Sequence, residues 1–166
     1  MYSLLALVLG FGIDLILGDP HSIPHPVIFI GKLISAMEKL ARKIFPKTVK
    51  GENFAGGVLW FVVVAVSTAV PALLLWLCYG ISVWLGLAIE SVMCWQILAT
   101  KSLRDESMKV YDALKTGDIE KSRYAVSMIV GRDTENLDDK AVARAAVETV
   151  AENTSDGIVA PLIFLC

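Results

Sequence analysis

Residues 53–89 read NFAGGVLWFVVVAVSTAVPALLLWLCYGISVWLGLAI, and no side chain among them is charged. The run lies between Glu52 and Glu90 and is 37 residues long. A helix of roughly 20 residues crosses the hydrocarbon core of a bilayer, so one span does not use the run up. Two spans fit, about 55–78 and 81–100, with a tight turn near Cys78-Tyr79-Gly80. Pro71 falls inside the first. A proline is tolerated in a span because neighbouring groups satisfy the carbonyl it frees.

The rest of the chain supports this reading. It has 166 residues, 55% of them hydrophobic, with mean hydropathy +0.63. Soluble domains lie nearer to about 45–50% apolar. The net charge of −2 is uninformative, but no Lys or Arg precedes Lys32. The expected fold is all-α: a polytopic helical membrane protein with a cytoplasmic helical segment. Residues 2–17 form a short first span that contains Asp14. They lack a basic leading region and a small-residue cleavage site, so they do not read as a secretory signal. A fourth span starts at 157 and stops at Cys166, short of the roughly 17–25 residues a crossing helix needs. The chain is therefore expected to be a fragment, or one half of a protein whose C-terminal half is separate.

The basic residues set the expected topology. Six lie between Lys32 and Lys50, and nine between Lys101 and Arg144. Two spans separate these segments, so both face one side, and the excess of Lys and Arg makes that side the cytoplasm. Residues 18–54 and 101–156 are then cytoplasmic and the N-terminus is outside, in a multi-pass protein of the inner membrane. The membrane part is 1–100, the cytoplasmic helical segment 101–156, and the start of the last span 157–166. Asn153-Thr154-Ser155 matches a glycosylation sequon, which a cytoplasmic position makes irrelevant. Cys78, Cys94 and Cys166 sit in apolar surroundings without metal-ligand spacing and read as buried free thiols.

Between the spans, "GDPHSIPHPVIFIGK" (18–32) opens as a proline-fixed loop, because proline locks φ and holds the preceding residue extended. A helix is expected from Val27 to Ile44, its apolar residues recurring at three- and four-residue steps among basic ones, on the bundle or at the headgroup surface. The segment after Lys101 reads as three helices. The first ends at Thr116-Gly117. The second is capped by Asp118 and runs to Val130. The third is capped by Asn136, with Asp138 and Asp139 in its first turn.

Three stretches carry candidate chemistry. In the third helix Arg144, Glu148, Glu152 and Asp156 recur every four residues and form a stripe. Thr149 and Asn153 make a second row beside it. Clustered carboxylates repel unless a cation sits among them, and Mg²⁺ takes one or two carboxylates plus phosphate oxygens. The alternative is a solvated face whose Arg144–Glu148 pair is worth only about 0.3–0.5 kcal/mol. In "GRDT" (131–134), Arg132 is suited to bidentate contact with phosphate or carboxylate, with Asp133 orienting it. The structural reading is favoured, in which Gly131 ends one helix while Asp133 or Thr134 starts the next. In the proline loop, Asp19, His21 and His25 offer acid–base or phosphate contacts held rigidly, or a hydrogen-bonded structural loop. Asp14 and Glu90 are intramembrane acids, which are functional by default: Asp14 fits the loop site, and Glu90 an inter-helix hydrogen bond or an ion pathway. The chain lacks a P-loop and a dinucleotide-binding fingerprint, and no basic–aromatic pattern points to nucleic acid.

Taken in order, "DLILGDPHSIPHPVIFIGKLI" (14–34), "GRDTENL" (131–137) and "RAAVETVAENTSDGIVAPL" (144–162), with an apolar hairpin between the first two, closely resemble the CobD/CbiB family of cobalamin-biosynthesis membrane proteins, the adenosylcobinamide-phosphate synthases. The resemblance covers essentially the whole chain. It implies an ATP-dependent ligase that joins the propionate carboxylate of adenosylcobyric acid to an amino alcohol or its phosphate, with ATP and Mg²⁺ as co-substrate and metal and no tightly bound cofactor. On that reading Glu152 and Asp156 hold Mg²⁺. Arg132, Asp133, Thr134, Arg144, Asn153 and Ser155 bind substrate or phosphate. Asp19, His25 and Glu148 act in catalysis. The partners are the corrinoid, the amino alcohol phosphate, the membrane and the missing half. Family members are about twice as long, so this chain alone is expected to be incomplete and inactive. The rival readings are a membrane transport protein using Asp14 and Glu90, and a regulator related to AmpE.

Overall fold

The computed structural model describes residues 2–20 and 23–165, so His21 and Cys166 lie outside the described residues. It is all-α: among the described residues there is no strand. The chain divides into two compact units, residues 21–89 and residues 1–20 with 90–166.

In the first unit, α2 (Pro26–Ile44) packs on α3 (Val49–Ile81). Pro26 occupies the first turn of α2, where its missing N–H costs nothing. Residue His25 caps that turn, its Nδ1 accepting the Val27 N–H at 3.2 Å. Thr48 caps α3 by accepting the Gly51 N–H at 3.2 Å. With 33 residues α3 is about 50 Å long, more than a bilayer core requires. None of its most apolar stretch is buried, and Trp60 and Trp76 are 65% and 72% exposed. So continuous an apolar surface is unsuited to water and suited to lipid. Pro71 lies inside α3 without ending it.

The break between the two apolar helices lies at Ser82, not at Cys78-Tyr79-Gly80, and the helices are bounded at Val49–Ile81 and Val83–Ile97. Ser82 has extended backbone, donates its N–H to the Cys78 carbonyl and accepts the Trp84 N–H on Oγ at 3.3 Å. One serine thus closes α3 and opens α4 (Val83–Ile97). Gly80 stays helical, as glycine readily does in apolar helices. The corner is tight: a Cβ on Gly86 would lie 2.4 Å from the Tyr79 ring.

The second unit holds α1 (Tyr2–Leu17), the end of α4, α5 (Thr100–Thr116), α6 (Ile119–Ser127) and a long helix from Asp139 to Leu165. That helix consists of α7 (Asp139–Thr154), a π-helical turn at Ser155–Val159 and α8 (Ala160–Leu165). Gly117, at φ 73°, ends α5, and Asp118 caps α6 by accepting the Lys121 N–H at 3.1 Å. Two expected boundaries move. Helix α6 stops at Ser127 rather than Val130, and α7 is capped by Asp138, which accepts the Ala141 N–H at 2.7 Å, rather than by Asn136. The cap falls to Asp138 because Leu137 is drawn back by its N–H to the Thr134 carbonyl and by its carbonyl to Arg123 Nε at 2.8 Å.

Two apolar clusters hold this unit. Val110, Val126, Val142 and Ala145 are buried where α5, α6 and α7 meet. Leu7, Cys94 and Leu98 are buried with Phe11, Leu162 and Leu165 packed on them. Gly10 brings α1 against α4, since a Cβ there would lie 2.6 Å from Cys94 Cβ and 2.7 Å from the Ser91 carbonyl. Cys78 and Cys94 are buried free thiols.

Candidate functional site

The site is built on α7 and on the loop that precedes it. Asp133 Oδ1 accepts the Glu135 N–H at 3.0 Å, closing an Asx turn, and Thr134 is buried beneath it. This turn carries Arg132 over α7. Its Nη2 lies 3.2 Å from Glu148 Oε2, and Arg144 Nε, one turn before Glu148, lies 2.8 Å from Glu148 Oε1. One carboxylate therefore holds two guanidiniums, one from the loop and one from the helix. Both neighbours hold the Glu148 carboxyl below the usual glutamate range, Arg144 first and Arg132 second. The side chains stay open to solvent, Arg132 at 53% and Arg144 at 81%, so most of their N–H donors are available to an anion.

Further along the stripe Glu152 and Asp156 are exposed, and no hydrogen bond or ion pair engages either carboxylate among the described residues. No group of three or more His, Cys, Asp or Glu side chains among the described residues is placed to hold a metal by itself. Two open carboxylates match the smaller donor set of Mg²⁺, which fills its other positions with water and phosphate oxygen. Asn153 turns its Nδ2 back to the Thr149 carbonyl at 3.0 Å, leaving Oδ1 as its open group, and Ser155 is exposed at the start of the π turn.

The π turn has a local cause. Pro161 has no N–H to give the carbonyl four residues earlier, and its ring crowds that carbonyl. The carbonyl is that of Gly157, and it accepts the Ala99 N–H at 3.2 Å instead. A widened turn of this kind is frequent at functional sites. Here it joins the candidate stripe to the α4–α5 junction.

The same junction is gripped by the end of α1. Buried Asp14 accepts the Thr100 N–H on Oδ2 at 2.9 Å, capping α5, which has no cap of its own. Lys101 Nζ lies 2.7 Å from the Ile16 carbonyl, Trp95 Nε1 lies 2.9 Å from the Gly18 carbonyl, and the Asp19 N–H donates to Ser102 Oγ at 2.9 Å. Gly18 makes this turn at φ 62°. So Asp19 and the turn holding Asp156 meet the same first turn of α5. Of the expected site residues, Arg132, Arg144 and Glu148 are in direct contact, with Glu152, Asn153, Ser155 and Asp156 following on one helix. Asp133 and Thr134 shape the loop. His25 belongs to the other unit, where it caps α2. Sequence reading did not single out Trp95, Ala99, Thr100, Lys101 or Ser102. Their signal was the placement of Asp14 near the end of a span, for a buried acid needs a donor.

Comparison with known proteins agrees with the motifs. The family model described as CobD/Cbib protein matches residues 7–166. The cobalamin biosynthesis protein CobD of Clostridium perfringens is 45% identical over 161 residues, 97% of this chain and 50% of the relative. The cobalamin biosynthesis protein CbiB of Salmonella typhimurium is 42% identical over 163 residues, 98% of this chain and 51% of the relative. The chain thus spans about half the length of the curated relatives it matches. No solved structure matches it.

Proposed function

Because this chain belongs to the CobD/CbiB family, we propose that it serves cobalamin biosynthesis at the cytoplasmic membrane, as the first part of an ATP-dependent ligase. The reaction joins the propionate carboxylate of adenosylcobyric acid to the amine of an amino alcohol or its phosphate, making an amide. The observation that carries this reading is the pair of open guanidiniums held by Glu148, next to two unengaged carboxylates.

Carboxylate activation places phosphate and carboxylate oxygens side by side. Arg132 and Arg144 supply forked donors for such oxygens, and Glu148 fixes their direction without filling all their N–H groups. With its pKa lowered, Glu148 acts as this anchor and is a weak proton acceptor. Glu152 and Asp156 would hold Mg²⁺, which, when bound, would neutralise charge on the phosphate oxygens. Asn153 and Ser155 complete the polar edge of the stripe. Asp133 and Thr134 keep Arg132 in place. Asp19, at the first turn of α5, orients or deprotonates the incoming amine. The cytoplasmic placement of residues 18–54 and 101–156 puts these groups where ATP is found.

A chimera tests the proposal. This chain replaces the matching half of the Clostridium perfringens relative in a bacterium lacking the synthase, and growth dependent on cobyric acid is scored. The chimera is expected to restore growth, Arg132→Ala and Asp156→Asn to abolish it, and Lys121→Gln, at an exposed position of α6, to leave it unchanged. A chimera that makes no amide from corrinoid and amine, although present in the membrane, would sink the ligase reading.

A further inference from the structure

Where α2 turns into α3, the first unit contains a pocket of about 420 Å³ that the proposed ligase chemistry does not use. Its volume falls within the range of small-ligand sites. Four charged side chains line it: Glu38 and Arg42 from α2, Lys47 from the turn and Glu52 from the first turn of α3. Phe45 and Leu59 are among its apolar lining. The turn beneath is tightly built. Thr48 donates its N–H to the Pro46 carbonyl at 2.8 Å, and a Cβ on Gly51 would lie 2.3 Å from that oxygen.

The position of the pocket along α3 narrows the ligand. The uncharged run begins at Asn53, one residue after Glu52, so the lining passes from charged to apolar within two turns. That is the level at which a bilayer changes from headgroup to hydrocarbon. Helix α2 has the matching character. Lys32, Lys39, Arg42 and Lys43 share its polar side, while Phe29, Ile34 and Leu40 stay exposed on an apolar side wider than α3 covers. A helix of this kind lies in the interface plane.

The charges narrow it further. Two cations suit a phosphate, and two carboxylates beside them suit an ammonium and disfavour a purely anionic headgroup. Arg42 Nη2 and Nε already lie 2.6 and 3.0 Å from Glu38 Oε1, which fixes the guanidinium while leaving its Nη1 donors open. We propose that this pocket binds a zwitterionic ligand bearing an ammonium two carbons from a phosphate ester, and that the ligand is the headgroup of a phosphatidylethanolamine. Arg42 and Lys47 hold its phosphate, Glu38 and Glu52 its ammonium, and Phe45 and Leu59 the first carbons of its acyl chains. Free amino alcohol phosphates share this chemistry. The lipid is favoured because the pocket straddles the polar–apolar boundary. The inference does not depend on the ligase reading.

Native mass spectrometry of the whole chain, delipidated in detergent, tests it. Dioleoyl phosphatidylethanolamine and dioleoyl phosphatidylglycerol are added separately, and retention is compared. The ethanolamine lipid is expected to bind about tenfold more tightly, a difference of about 1.4 kcal/mol. E38Q with E52Q is expected to erase that preference, and R42Q with K47Q to weaken both lipids. These four side chains are exposed enough that the variants fold, which circular dichroism checks. Displacement of the lipid by millimolar O-phosphoethanolamine moves the assignment to the soluble ester, and its absence supports the lipid. Equal retention of the two lipids, or retention untouched by both double variants, overturns the site.

Discussion

Glu148 divides its two oxygens between Arg132 and Arg144, and this decides how pH acts on the stripe. Its folded pKa is lowered, so the stabilisation it contributes is complete above the unfolded glutamate value. That contribution is lost only as pH falls through the depressed folded value. The carboxyl carbon resonance of Glu148 is therefore expected to stay in its ionised position through mildly acid solution, and to move only below the ordinary glutamate range. A titration midpoint at or above that range would show that the guanidiniums do not hold it. Gly10 offers a second test at this scale. A Cβ there meets Cys94 and the Ser91 carbonyl, whereas a Cβ on Gly12 meets nothing within 4 Å. Gly10→Ala is expected to lower thermal stability in detergent by about 1–3 kcal/mol, the usual effect of overpacking. Gly12→Ala should not, and equal melting of the two variants would contradict the close approach of α1 and α4.

At the level of elements, the junction between α4 and α5 depends on two borrowed groups. One is the Asp14 carboxylate, which caps α5 from α1. Asp14→Ala is expected to cost about 0.5–2 kcal/mol, as removal of a helix cap does. Asp14→Asn, which keeps the acceptor, should recover most of it in the same melting measurement. The other is the Gly157 carbonyl, left without its helical donor because Pro161 has none. In Pro161→Ala a new N–H competes for that oxygen. Hydrogen exchange at the Ala99 amide is then expected to speed up several-fold, with helix content unchanged, and on the proposed ligase reading the chimera is expected to make amide more slowly. Unaltered exchange at Ala99 would mean that the π turn does not hold the junction.

For the whole molecule, the exposed apolar surface of α3 and the apolar sequence of α4 are suited to a bilayer. The expressed chain is expected to sediment with membranes and to resist extraction at alkaline pH. The proposed topology, with residues 18–54 and 101–156 cytoplasmic, predicts that a cysteine placed at Lys115 reacts with an impermeant maleimide only after the cells are opened, and one at Tyr2 in intact cells. Labelling of Lys115→Cys in intact cells would reverse the topology.

Much of this was legible in the residues because it depends on local rules. An uncharged run longer than one span, Gly117 after a helix, Asp118 before the next and Pro26 in a first turn each act through their own backbone or through lipid, so composition and spacing determine the helices and the apolar belt. The four-residue recurrence of Arg144, Glu148, Glu152 and Asp156 likewise determined which residues share a face. What only the tertiary structure decided is how those residues are used. Arg132 reaches Glu148 across 16 positions, Asp14 caps a helix 86 positions away, and Gly157 gives its oxygen to Ala99. These bonds form because buried or unpaired polar groups must find partners wherever the packed helices bring them, and no local pattern specifies a partner that distant.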